Sequence, residues 1–526
     1  MPVKRSVGLW GLLFLSIGGI IGSGWLFGPF FAAQVTGPAA IFGWVLGGFL
    51  MIVVALTFAE LSAMFPVTGA SIQFLQISHG TLVSFTFAWI GWVSSIVVAP
   101  IETLALLQYA THYLPWLTFK QDGVVLLTGQ GMLIAALVMA VICWVNVVGV
   151  NFLSKSNIIL GCFKLLVPLI TIIFLLIHSF HSENFTRHGF LPSGWQGFLA
   201  SLPTAGIIFS FMGYNAAIQM AGEARRPQFA IPFAILGSLL ICVVLYCGLQ
   251  FAFIGAVPPS GLMGGWDHLS FDGDAGPFVG LMMLVGMMWW AHILYVDAIA
   301  SPFGTALIYT GSSARMAYAM GNNGYMPSIL RHLNKHSTPS RLVWLNFFLG
   351  IILFLPFPTW QAMMSFLVSA IIFAYAVGPL ALVVLRKIAP DHARPFRLPQ
   401  AKAVSFLAFY ICNLILLWVG WTIIYKMLIV IGLGYVFLLG YRKYGRGERF
   451  PMEWHNAGWL FAYLISLGLV SYAATFSGGR GWISFGWDFI AVLIQSIVIF
   501  IWAYKSGCKT PAQLELINSH HAESVS

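Results

Sequence analysis

The sequence predicts an all-α polytopic membrane protein of about fourteen spanning helices, and three observations predict it. Hydrophobic residues make up 59% of the 526 and charged ones only 8%, where soluble domains carry about 25% charge. Apolar runs long enough to cross ~30 Å of hydrocarbon recur along the whole chain. The first of them, Ile17 to Pro29, is broken by Gly18, Gly19, Gly22, Gly24 and Gly28. Glycine costs about 1 kcal/mol against alanine inside a helix, so a segment that only spans lipid has no reason to collect it.

In chain order the runs are 8–33, 39–64, 81–111, 124–148, 156–179, 197–221, 229–256, 278–312, 341–356, 361–385, 404–424, 427–441, 457–476 and 485–504. Each is bounded by charged, Pro or Gly punctuation, except that Lys426 alone separates the eleventh from the twelfth. With the N-terminus inside, only Lys120, Arg187, Lys426 and Arg480 of the 25 Lys and Arg fall in outer loops, and Lys164 lies within a span. That asymmetry sets both termini in the cytoplasm. The net charge of +10 is therefore a topology signal, because a nucleic-acid footprint would not be scattered over short loops. The Lys4-Arg5 start resembles a signal peptide, but the run after it is too long and lacks a small-residue cleavage site. Six cysteines without C-x-x-C pairing indicate neither a disulfide nor a metal. Asn184-Phe185-Thr186 is a formal glycosylation sequon on the outer side.

Two runs are irregular. The first is expected to break near Gly22-Ser23-Gly24, leaving free N–H groups and a positive helix end at mid-membrane depth. The bland alternative is small-residue packing, for which Gly18 and Gly22 have the spacing. Five spans later Gly206 to Asn215 is again punctuated by glycine, with Ser210 and Asn215 as polar interruptions. Interrupted helices at matching places in two halves point to an inverted-repeat transporter site. An offset of five makes spans 1–5 and 6–10 the repeats, at about 8–179 and 197–385. The organisation is then a transport core over 1–400, helices 11–14 over 401–505, and a cytoplasmic tail over 506–526.

Ordered motifs over roughly residues 8–390 resemble the amino acid–polyamine–organocation (APC) superfamily. They are Ile21-Gly22-Ser23-Gly24-Trp25-Leu26, Ala59-Glu60-Leu61 with Pro66 to Ala70, Phe209 to Gly213, Ala221 to Pro227 with Ile231-Pro232, and Ser313 to Gly324. Pro100-Ile101-Glu102, Phe163-Lys164 and Asp297 to Pro302 are most similar to the bacterial proton-coupled branch, which includes aspartate–proton symporters. The resemblance implies a LeuT-like 5+5 inverted repeat with helices 1 and 6 broken, working by alternating access. One departure is that Arg225-Arg226 precede Pro227 where the family usually has lysine-asparagine.

An amino acid presents a carboxylate and an ammonium, and a closed site must replace water at both. Amides at Gly22, Ser23 and Gly24 suit the carboxylate. Carbonyls of Ile20, Ile21, Phe209 and Phe211 suit the ammonium. Phe209, Met212 and Gly213 would form gate and wall, and Asn215 would meet the side chain. Lys164 is the sharpest single residue, since an intramembrane charge is a functional hypothesis by default. Taking an ammonium out of water favours its neutral form, so Lys164 can carry the coupled proton; the alternative is snorkelling to an end ~10 Å away. Glu102 and Asp297 are further proton-coupling candidates or buried structural groups. Glu60 and Glu223 stand near inner helix ends, where an ion pair with Arg225, Arg226 or Arg315 would close a gate; the alternative for each is a solvated loop charge. Ser301 and Thr305 are expected across from Lys164.

The expected function is a secondary active transporter importing an acidic or neutral amino acid with protons. No cofactor or metal is expected, and the partners are the substrate, protons and the bacterial plasma membrane. The alternatives are an amino-acid exchanger and, more remotely, a channel, for which no repeated polar ring is visible. An enzyme would need a compact nucleophile, base or metal cluster, and among histidines only His292 lies well inside a helix.

Overall fold

The computed structural model describes residues 7–65, 70–121, 124–148, 150–271, 273, 276–336, 338–444 and 452–507. The Pro66 to Gly69 part of one motif, Cys508 and the tail beyond it lie outside the described residues. The first span is split into α1 (Leu9–Ile20) and α2 (Gly24–Thr36). Gly37, at φ 58°, ends α2, and one 3₁₀ turn leads into α3 (Ala40–Met64). A short α4 (Ala70–His79) stops at Gly80 and α5 (Thr81–Ala110) follows. A hairpin of β1 (Thr118–Gln121) and β2 (Val124–Leu127), with Thr118 opposite Leu127, precedes α6 (Gly129–Val148) and α7 (Val150–His178).

The second half begins with α8 (Gly194–Thr204), which unwinds, passes through a 3₁₀ segment over Phe209–Tyr214 and resumes as α9 (Asn215–Gln219). Proline in the first turn, where its missing N–H costs nothing, starts both α10 (Pro227–Ala256) and α11 (Pro277–Leu284). Arg226 before α10 holds φ 51°, a left-handed conformation uncommon for a residue other than glycine, asparagine or aspartate. Then come α12 (Met288–Asn322), α13 (Ser340–Leu353), α14 (Trp360–Tyr375) and α15 (Val377–Ile388). Four more helices follow: α16 (Ala401–Val419), α17 (Trp421–Tyr444), α18 (Gly458–Ala473) and α19 (Trp487–Ser506).

Among the described residues, twelve stretches are long and apolar enough to cross a membrane. One of them, Gly24–Met64, runs through α2 and α3, and the apolar Leu9–Ile20 and Ser340–Leu353 are shorter. The eleventh and twelfth spans part at Gly420, not at Lys426. Gly420 takes φ 87°, and Lys426 sits inside α17 with its ammonium 4.9 Å from the Phe357 ring. His292 is an exposed residue early in α12, its Nδ1 2.6 Å from the Met288 carbonyl. The sequon asparagine, Asn184, is buried and donates to the Ile254 and Val257 carbonyls. Its amide has no room for a glycan.

The helices pack as α12 along α5, α10 along α3, and α1 against α10 and α7. Gln250 of α10 is wholly buried, accepting from the Trp44 indole at 2.7 Å and donating to the Pro29 carbonyl at 3.0 Å. The two interrupted helices cross backbone to backbone, since a Cβ added at Gly213 would run into the Gly19 carbonyl group and the Ile20 nitrogen. We call the membrane face that carries Leu9 the near face and the opposite one the far face.

Helices α18 and α19 fasten the near face. The Glu453 carboxylate accepts from the Thr81 N–H at 3.0 Å, capping α5. His79 is buried, with Nδ1 2.8 Å from the Ser78 hydroxyl, Nε2 3.2 Å from the Ala503 carbonyl and Trp459 packed on its ring. Burial pushes the His79 imidazole down to about 4.

Below its ordinary 6.5 the unfolded chain binds a proton that this ring refuses, so stability is full above pH 6.5 and falls toward pH 4. Thermal unfolding in detergent should show that loss, and His79→Gln should flatten it while lowering the midpoint at pH 7. At the helix crossing, Gly213→Ala should destabilise by about 1–3 kcal/mol. Gly432→Ala, where a Cβ meets nothing within 4 Å, should be neutral in the same assay.

Candidate functional site

The break in the first span leaves the carbonyls of Gly18, Ile20 and Ile21 and the amide of Ser23 without regular helical partners. Protein groups answer each. Lys164, on α7, is fully buried and its ammonium spends all three donors there: 2.9 Å to the Gly18 carbonyl, 2.8 Å to Ile21 and 2.9 Å to Thr305 Oγ1. Thr305, on α12, lies 3.2 Å from the same Gly18 oxygen. A Cβ on Gly304 would come within 3.3 Å of Lys164 Cε, so the glycine provides the room. Snorkelling is excluded by this geometry, because the side chain turns into the bundle.

Glu102, on α5, is buried and its Oε2 accepts from the Ser23 N–H at 2.8 Å. Its Oε1 has no hydrogen-bond partner among the described residues and would be 2.6 Å from a Cβ on Gly22. Glycine at 22 thus leaves room for the approach of the carboxylate. The Ser23 hydroxyl accepts from the Trp360 indole at 3.0 Å. A Cβ on Gly24 would collide with Ser210 Oγ of the second interrupted helix.

The expected ammonium acceptors are engaged differently. The Ile21 carbonyl receives Lys164, and the Ile20 carbonyl receives the Tyr246 hydroxyl at 3.2 Å. Met212, expected as pocket wall and not as an acceptor, offers its carbonyl to Tyr375 at 3.0 Å. Phe209 and Met212 do face the break, bounding with Gly19, Glu102, Thr305, Tyr309 and Ile371 a cavity of about 10 Å³, room for about one water. Phe211 turns away to pack on Trp44 and Tyr246. Asn215 lines a separate cavity of about 30 Å³ toward the near face, with Phe58, Met316 and Tyr375. It does not reach the first cavity, because α9 carries it past the crossing.

Asp297 stands eight residues from Thr305, ~12 Å along α12. Its Oδ1 accepts from Ser301 at 2.8 Å, and Oδ2 has no hydrogen-bond partner among the described residues. Ser301 therefore belongs with Asp297, one level away from Lys164. Glu60 is fully buried at the near face, and its partners differ from those expected. Arg386 binds it in bidentate fashion at 2.8 and 2.6 Å, Arg394 lies 3.6 Å away, and the Leu398 N–H donates at 2.7 Å. No ion pair among the described residues includes Arg225, Arg226 or Arg315. The reason is positional: the near-face end of α3 abuts α15, while the loop before α10 pairs Ala224 with Val7. The Glu223 carbonyl accepts from Val7 in that bridge.

Sequence reading missed Tyr246, Tyr309, Trp360 and the Arg386–Arg394 pair. Aromatic residues within apolar runs carry no distinguishing spacing, and loop arginines do not name their partners.

A family model for amino acid permeases matches residues 7–438. The glutamate/serine transporter AimA of Bacillus subtilis strain 168 is 36% identical over 515 residues, covering 97% of this chain and 95% of the relative. The aspartate-proton symporter of the same strain is 33% identical over 507 residues, covering 96% and 97%. At 25% identity, the branched-chain amino acid permease BcaP is similar over 84% of this chain. With its interrupted helices and spanning architecture, the chain belongs to the amino acid permease family of the APC superfamily, multi-pass membrane transporters and not enzymes.

Proposed function

We propose that this permease imports an amino acid together with a proton by alternating access, and that it does so in the plasma membrane with both termini in the cytoplasm. The observation that carries the reading is the pair of buried charges at one helix break: Lys164 on the Gly18 and Ile21 carbonyls, and Glu102 on the Ser23 amide. A substrate carboxylate suits that same amide. Two carboxylates cannot share it while both are charged, so the incoming one requires Glu102 to be protonated and to give up the amide. Binding of an amino acid then goes with uptake of a proton at Glu102. Lys164 keeps a positive charge at the break, and its bonds to α1 and α12 tie the broken helix to the rest of the bundle. Asp297, outside this contact set, is assigned a supporting role in proton entry.

For the substrate, the cavity walls favour a small neutral side chain. Phe209, Met212, Leu367 and Ile371 are apolar, and Glu102 is the one charged residue lining the cavity among the described residues. An acidic substrate is the second reading, favoured by relatives named for glutamate/serine and aspartate transport.

The test is uptake of labelled L-serine and L-aspartate into proteoliposomes under an inward proton gradient. Gradient-driven accumulation should fall about tenfold or more in Lys164→Ala, because the broken helix loses its tie to α7 and α12. Uptake that ignores the gradient and requires amino acid inside overturns symport in favour of exchange. Glu102→Gln should keep substrate binding, remove its pH dependence, and lower gradient-driven uptake by about tenfold or more. Binding that keeps its pH dependence in Glu102→Gln removes this residue from the coupling.

A further inference from the structure

Trp360 opens α14, and the helix start is fixed by Thr359, whose hydroxyl accepts from the Ala362 N–H at 3.1 Å. The indole is 3% exposed and touches both interrupted helices. Its N–H donates to Ser23 Oγ at 3.0 Å. Its ring packs on Phe27 and Phe31 of α2, with centroids 5.3 and 5.6 Å away, and meets Phe209 edge to face at 5.7 Å. A Cβ on Gly206, where the second helix unwinds at φ 95°, would lie 3.1 Å from the ring edge.

The register of α14 adds an independent observation. Leu367 and Ile371, about two and three turns further along the same helical face, line the cavity. Leu367 lies ~10 Å along the helix from Trp360, so the indole stands over the cavity on its far-face side. A single side chain there touches three parts of the site: the break at Ser23, the far-face half α2, and the wall residue Phe209.

We propose that Trp360 is the far-face lid of the site and its positioning residue, fixing the Ser23 hydroxyl through the indole N–H and the Phe209 ring through edge-to-face contact. The inference rests on the transport reading above, in which this cavity receives the substrate. A ligand reaching the cavity from the far face has to turn the indole aside, and the indole re-forms its bond to Ser23 when the site closes. Side-chain size is then read through Phe209, whose place Trp360 sets.

The experiment uses the full chain in proteoliposomes, with Leu367→Cys as a reporter and a membrane-impermeant methanethiosulfonate as probe. Labelling of the otherwise unaltered protein supplies the background. Trp360→Ala should raise the labelling rate roughly tenfold or more, because the roof is gone. Trp360→Phe keeps the ring and loses only the Ser23 bond, so it should raise the rate by a smaller factor. Ser23→Ala should match it, and the two together should exceed neither. Trp360→Phe should also raise the KM for L-serine with turnover maintained, a split that general loss of packing does not produce. A parental labelling rate in monodisperse Trp360→Ala overturns the proposal, as do additive effects of Trp360→Phe and Ser23→Ala. Faster labelling in a protein that binds no amino acid upholds the lid and overturns the transport reading instead.

Discussion

The structure is organised by an obligation that the bilayer imposes on residues 21–23. Backbone unwound at mid-membrane depth has no water to turn to, so every freed group must be met by protein. Lys164 meets two carbonyls, Tyr246 a third, and Glu102 the exposed amide. These partners come from α5, α7 and α10, and Thr305 of α12 joins them. The arrangement of the bundle around α1 follows from having to deliver those groups to one place.

Meeting the obligation with charges rather than neutral groups has a cost. Two buried charges must each offset their own desolvation, and here each is spent on backbone dipoles. Lys164 has no donor left over, while Glu102 keeps one oxygen without a hydrogen-bond partner among the described residues. The asymmetry makes the lysine the fixed element and the carboxylate the exchangeable one. Glycine at 22, 24, 213 and 304 serves this crowding: a Cβ at each would meet a side chain or backbone group of another helix.

Much of this was legible in the chain. The position of both breaks followed from glycine clustered where a spanning helix has no use for it, and Lys164 was conspicuous as a charge in an apolar run. What remained illegible depends on angle and depth. Glu60 could be read as a gate pair or a solvated charge, and its burial and partners were hidden, because Arg386 and Arg394 lie more than three hundred residues away and look like other arginines at span ends. Asn215 sat in a polar interruption, yet the turn of α9 sends it to a different cavity. Lys426 looked like a boundary because it is charged, while the actual turn is at Gly420, where backbone φ decides. Trp360 was one tryptophan among many in a chain where aromatic residues are abundant.

The cap that Glu453 places on α5 bears on how such a chain is built up. An α5 start capped from a loop 372 residues downstream is incomplete until the segment before α18 has emerged and folded back. His79 likewise waits for Ala503, 424 residues on. During synthesis the helices that hold the site, which lie between α1 and α14, are laid down first, and their near-face ends are closed last. Assembly order and sequence order thus run in opposite directions at this face.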